Sequence, residues 1–172
     1  MSDSENTHTY QVKWHPPQKQ LQAAQTMNGL DYFRAMVAGK IPPPPIASLM
    51  GFTMEEAEEG RVVFAVTPQE IHYNPMGTVH GGLAATLLDS AMTCAIQSTL
   101  PKGIASTTIE LHINYIRPIT SQTGRLRCIG EIIHVGRTIA TAKGRVVDEN
   151  DKLYAHGTTT CMVFSITPAP QK

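Results

Sequence analysis

The spacing of apolar positions changes along this chain, and each change marks an element. In NGLDYFRAMVAGK, Leu30, Phe33, Met36 and Val37 recur at helical spacing, Asn28 stands where an N-cap belongs and Gly39 where a left-handed stop belongs, predicting a short helix. Pro42 to Pro45 cannot carry that helix onward and predict an extended connector. After IASLMGFTMEEAEEG, the run from Val62 to Val66 has strand composition and Pro68 closes it. From Gly81 to about Leu100 apolar residues populate nearly the whole helical circumference, predicting a helix enclosed by protein. Beyond Pro101 and Gly103 the period falls to two. Ile109, Leu111, Ile113 and Tyr115 alternate with Thr108, Glu110, His112 and Asn114, as in a half-buried strand. GRLRCIGEIIHV, TIATAKGRVVD and KLYAHGTTTCMVF read as three further strands, the last two joined by DEND with no helix between, so antiparallel at that end. One long apolar helix and about five long strands make an α+β pattern in which a curved sheet can wrap the helix.

At 172 residues, 41% hydrophobic and 16% charged, the chain suits one domain rather than two. Residues 1–20 lack periodicity and read as a flexible arm, 21–45 as the short helix and proline connector, and 46–166 as the main domain. The 14 basic and 14 acidic residues cancel, removing the broad positive field that a nucleic-acid or anionic membrane partner would need. Cys94, Cys128 and Cys161 are odd in number and far apart, and read as small buried hydrophobes in a reducing cytoplasm. The opening residues lack a secretory pattern, and Asp89 and Gln97 argue against a membrane span, so the expected location is the cytoplasm. No GxxxxGK[ST], GxGxxG, GxSxG or HExxH occurs, and His72, His112, His134 and His156 show no ligand-like pairing; no metal is expected.

Asp89 is the lone formal charge between His72 and Pro101. An ionised carboxylate in apolar surroundings needs a partner, water or a task, so Asp89 is either a structural hydrogen-bond acceptor or a working group. Asn74, Gly77, His80, Gly81 and Gly82 lie in the turn that feeds its helix. A helix N-terminus presents free amides, glycines let a substrate approach them, and such amides can hold a developing oxyanion while a carboxylate serves as general base. Gly81 and Asp89 stand eight residues apart, about 12 Å along a helix, too far for one carbonyl to touch both. If both serve one reaction, the Gly81 amide of one subunit meets Asp89 of another in a two-fold dimer.

The stretch NPMGTVHGGLAATLLDSA resembles the signature of the hotdog-fold acyl-CoA thioesterases of the PaaI-like, phenylacetate-pathway type, over a match from about Gly51 to Phe164. The resemblance implies a hotdog fold, an antiparallel sheet wrapped round a long central helix, here with an extra N-terminal helix. It implies that Asn74 and the Gly81 amide orient and polarise a thioester carbonyl, while Asp89, across a dimer interface, acts as general base or nucleophile. Thr108 matches a hydroxyl position that orders water, commonly Ser in that family, with Thr107 as near alternative. His80 is placed either beside the carbonyl or as the cap of the helix, the cap being favoured. Tyr115, Arg117, Pro118, His134, Val135, Gly136 and Arg137 match segments that pass beside coenzyme A, which enters as part of the substrate; no separate cofactor is implied. A homodimer or a dimer of dimers, a homotetramer, follows. Met27, Tyr32, Phe33, Met36, Ile46 and Met50 either wall an acyl pocket or dock the N-terminal helix. A non-catalytic acyl-CoA-binding or regulatory hotdog protein is the alternative. A hydratase ranks lower, because no His follows His80 until His112.

Overall fold

In the computed structural model, which describes residues 7–166, the chain opens with three helices, α1 (Gln18–Thr26), α2 (Gly29–Val37) and α3 (Pro45–Met50). Strands β1 (Phe52–Glu58) and β2 (Arg61–Val66), the long helix α4 (Gly81–Gln97), β3 (Ile104–Tyr115), β4 (Leu126–Val135), β5 (Ile139–Asp148) and β6 (Leu153–Ser165) follow. The six strands form one antiparallel sheet in the order β1-β2-β4-β5-β6-β3, and α4 packs against every strand. The α+β layout expected from the sequence is the one found. No helix among the described residues is long and apolar enough to cross a membrane.

The α2 helix forms where its pattern places it. Asn28 caps it by accepting the Asp31 N–H at 2.9 Å, and Gly39 takes the left-handed conformation at φ 70°. A Cβ at Gly29 would lie 1.8 Å from the Gln97 carbonyl oxygen, so only glycine lets α2 butt against the end of α4. Three elements depart from expectation. Residues 1–6 of the expected arm lie outside the described residues, and α1 begins inside that arm, tied down by buried Gln20, whose Nε2 donates to the Pro43 carbonyl at 2.8 Å. The last proline of the connector opens α3 rather than extending the connector, since the first helical residue needs no N–H partner. The glutamate-rich segment before β2 is the edge strand β1. A bulge at Glu55 interrupts it, and its charges pair with neighbours, Glu56 with Arg61 at 2.6 Å and Glu55 with Arg125.

One face of α4 carries Leu83, Ala84, Leu87, Leu88, Ala91, Met92, Ala95 and Ile96, all buried on the sheet. The approach is close because Gly130 and Gly144 pair across β4 and β5, and Gly157 continues the row on β6, where a Cβ would meet the His112 carbonyl of β3. A Cβ at Gly130 would fall 2.2 Å from the Ala91 carbonyl oxygen, and one at Gly144 2.9 Å from Leu88 and Met92 side-chain atoms. Helix backbone thus rests almost directly on sheet backbone. The opposite face of α4, with Ala85, Thr86, Asp89, Ser90, Thr93 and Cys94, is only half-buried. Small residues line this second side, and nothing among the described residues covers it fully, so within them the expected enclosure of α4 is met on the sheet side.

The β3 strand also differs from its expected half-buried pattern. It is an edge strand bonded only to β6, and Ile109 and Tyr115 are 57% and 56% exposed. Between Thr108 and Glu110 the register slips, leaving Ile109 as a bulge. The slip resets the alternation, so that Thr108 and, beyond the bulge, Ile113 both turn toward the helix and core.

Candidate active site

The turn before α4 is built by its own backbone. Asn74 N–H donates to the Thr78 carbonyl at 2.8 Å, Gly77 N–H to the Asn74 carbonyl at 3.1 Å, and His80 N–H to the His72 carbonyl at 2.7 Å. Gly77 sits at φ 75°, a conformation that penalises a side chain. The Asn74 side-chain oxygen accepts the Met76 and Thr78 amides at 2.9 and 3.3 Å, which orients its amino group. That amino group donates to Thr78 Oγ1 at 3.1 Å and keeps a second proton to offer.

His80 is the N-cap of α4: its Nδ1 accepts the Gly82 N–H at 2.9 Å. The Gly81 N–H, one position earlier, has no partner among the described residues and stands in the positive end of the helix dipole. Tyr115 closes over it, its hydroxyl donating to the Gly81 carbonyl at 3.2 Å. His80, Gly81, Tyr115, Arg117 and Pro118 line one open cleft of about 340 Å³ together with Tyr154.

Asp89 lies elsewhere, two turns along the half-buried face of α4. Thr108 Oγ1 donates to its Oδ1 at 2.7 Å, and Thr93 Oγ1 lies 2.9 Å from Thr108 Oγ1 and 3.5 Å from Asp89 Oδ1. Thr107 is on the other side of β3 and exposed. Nearby, burial and then the charge of Asp89 push the Cys94 thiol up to about 12, so it stays a protonated hydrophobe. Burial also pushes His72 down, keeping it neutral, with Nδ1 accepting the Gln69 N–H at 3.0 Å.

His134 and Val135 end β4, and Gly136 and Arg137 open the turn to β5, where Val135 pairs with Ala140, Ala140 with Cys161, and Cys161 with Thr108. Tyr115 pairs with Ala155 seven residues further along β3, roughly 23 Å at strand rise. Within one chain the expected coenzyme A contacts therefore fall into two groups, Tyr115 to Pro118 beside Gly81 and His134 to Arg137 on the Thr108 side. Neither Arg117 nor Arg137 makes an ion pair among the described residues. Thr93 and Tyr154 were not singled out from the sequence. Thr93 follows Asp89 by one helical turn, a spacing that marks it as a neighbour; Tyr154 becomes visible only through the sheet register.

Loss of the Thr108 hydroxyl is a direct check on the Asp89 environment. A hydrogen bond to a charged acceptor contributes about 1.5–3 kcal/mol, so Thr108→Val is expected to lower the melting temperature by roughly 3–12 °C in thermal unfolding.

Known proteins share this fold and part of this sequence. Residues 76–155 match the model of the thioesterase superfamily. A protein of Halobacterium salinarum named as an esterase is 33% identical over 129 residues, spanning 72% of this chain and 83% of its own. Human acyl-coenzyme A thioesterase 13 is 30% identical over 110 residues, 63% of this chain and 76% of its own. The crystal structure of a thioesterase described as a phenylacetic acid degradation-related protein, from Ralstonia eutropha, superposes with a TM-score of 0.68 at 28% identity, covering 76% of this chain and 98% of the other. The chain belongs to the thioesterase superfamily, as a hotdog-fold, PaaI-like hydrolase acting on thioester bonds.

Proposed function

We propose that the protein hydrolyses acyl- or aryl-CoA thioesters to free acid and coenzyme A, at sites each assembled from two chains. The observation that carries this reading is the division of one chain into two incomplete halves. One half offers the free Gly81 amide and the Asn74 amino group, the other the Thr108-bonded carboxylate of Asp89, separated by about 12 Å along α4. Two supports stand beside it: the half-open face of α4 that bears Asp89, and the unpartnered, apolar side of edge strand β3. Pairing two chains through both would lay the helices side by side in opposite directions and bring each Asp89 to the partner's amide. The name of the human relative points to acyl-CoA as the substrate class.

In this arrangement the Gly81 N–H and the Asn74 amino group hold the thioester oxygen as charge builds on it. Asp89 either takes a proton from the attacking water or attacks the carbonyl itself, in which case water then cleaves the mixed anhydride formed on Asp89; either way the coenzyme A thiolate leaves and is protonated. Arg117 and Arg137, cations without an ion-pair partner among the described residues, are suited to the phosphates.

Mixing two inactive variants tests the division. In a heterodimer of Asp89→Asn with Asn74→Ala one site is intact and the other doubly impaired. Equal mixing after dissociation therefore restores about one quarter of wild-type turnover, half of the dimers having one of two sites. No recovery in verified heterodimers would place both groups in one chain's own site.

A further inference from the structure

The cleft beside Gly81 is floored by Tyr154, which is 8% exposed, and its hydroxyl points away from the cleft to a buried carboxylate. Tyr154 Oη donates to Asp148 Oδ2 at 3.3 Å, while Asp148 Oδ1 accepts the amides of Asn150 and Lys152 at 2.9 and 3.0 Å. Asp151, at φ 58°, closes this turn and pairs with Arg127 at 2.9 Å. From that bracket the chain runs directly to the cleft wall. The Tyr154 carbonyl accepts the amides of both Ile116 and Arg117, at 2.7 and 3.1 Å, and the Leu153 carbonyl accepts Arg117 Nη1 at 2.5 Å. A guanidinium offers five N–H donors, and Arg117 spends one of its donors on Leu153, which aims the rest without neutralising them.

We infer that Asp148 and Tyr154 form a positioning pair that fixes the guanidinium of Arg117 for the phosphates of the substrate's coenzyme A portion. This rests on the acyl-CoA reading above. The pair does not touch the reacting carbonyl. It acts through two consecutive carbonyls, Leu153 and Tyr154, at the register slip between β5 and β6, where Tyr154 is skipped by the β5 pairing and its hydroxyl's bond to Asp148 ties it to the end of that strand. The carboxyl of Asp148 is held below its ordinary range, chiefly by the Lys152 amide, so the acceptor stays ionised at neutral pH. Rigid presentation matters here because an exposed arginine loses side-chain entropy on binding, and a pre-aimed one loses less.

The test is steady-state kinetics of Tyr154→Phe, Arg117→Ala and the double variant on two thioesters of the same acid. One thioester is with coenzyme A, the other with N-acetylcysteamine, which lacks the phosphates. Tyr154→Phe removes only the hydroxyl and raises KM for the acyl-CoA about tenfold, with kcat changed less than twofold. Arg117→Ala does the same, and the double variant adds no further increase, since both changes remove one interaction. On the N-acetylcysteamine thioester the KM of Tyr154→Phe stays within twofold of wild type. An equal rise in KM on both thioesters, or independent additive effects of the two substitutions, overturns the positioning role. Absence of acyl-CoA hydrolysis by the wild type, with the N-acetylcysteamine ester cleaved, would instead overturn the acyl-CoA reading itself.

Discussion

Asp89→Asn lowers kcat for thioester hydrolysis by about 10²–10⁴-fold, the range expected when a positioned general base is removed. The substitution keeps the side chain's size and can still accept the Thr108 hydroxyl at its oxygen, so folding is preserved. What it loses is the negative charge that takes a proton from water or attacks the carbonyl. Binding is retained, because the proposed carbonyl donors and phosphate-facing arginines lie on other residues. A thiol-release assay under saturating substrate, with far-ultraviolet circular dichroism as the folding control, reads both quantities. Turnover within a few-fold of wild type would reduce Asp89 to a structural acceptor for Thr108.

The second large effect is on stability. Gly130→Ala places a methyl 2.2 Å from the Ala91 carbonyl oxygen and 2.3 Å from its carbonyl carbon, and neither is a side chain that can swing aside. Helix α4 must lift from the sheet as a unit. Overpacking of this kind costs about 1–3 kcal/mol, and at about 2–4 °C per kcal/mol for a chain of this size the melting temperature falls by roughly 2–12 °C. Thermal unfolding followed by circular dichroism measures it. Gly39→Ala is the control: there a Cβ meets nothing within 4 Å, and only the backbone cost of φ 70° remains. A Gly130 variant as stable as the wild type would show that α4 does not sit on the glycine row as described.

The sequence made some of this legible for physical reasons. The α4 helix announced itself because an uninterrupted apolar run of that length between a glycine turn and a proline has few other solutions, and Asp89 stood out as its only charge. Asn28 and Gly39 marked the ends of α2 because capping is local chemistry. What stayed hidden depends on distant contacts. The polar stretch QKQLQAAQT carries too little apolar periodicity to declare a helix, and α1 is tied down by a glutamine reaching the proline carbonyls. The edge strand β1 was obscured by glutamates whose partners, Arg61 and Arg125, lie on neighbouring segments. Simple alternation set Thr108 opposite Ile109 and Leu111, away from the helix. The bulge at Ile109, which no residue pattern signals, turns Thr108 toward Asp89.

The glycine row has one mechanical consequence. Along that row the sheet lays down no side chains, so α4 sits in a bare-floored trough whose walls are apolar side chains of the flanking positions, Val62, Leu126, Ala142 and Val146 among them. Beside that apolar packing, polar pins hold its axial setting, mostly near one end: Gln97 clasping Ile104 and Ser106, Ser98 holding the Gly60 amide, and the Asp89–Thr108 bond. A rigid rod passes on any slip undiminished, so Gly81 and Asp89 would travel together and their spacing would never change. The clasp at Gln97, some 24 Å along the helix from Gly81, thereby helps to set where both groups stand.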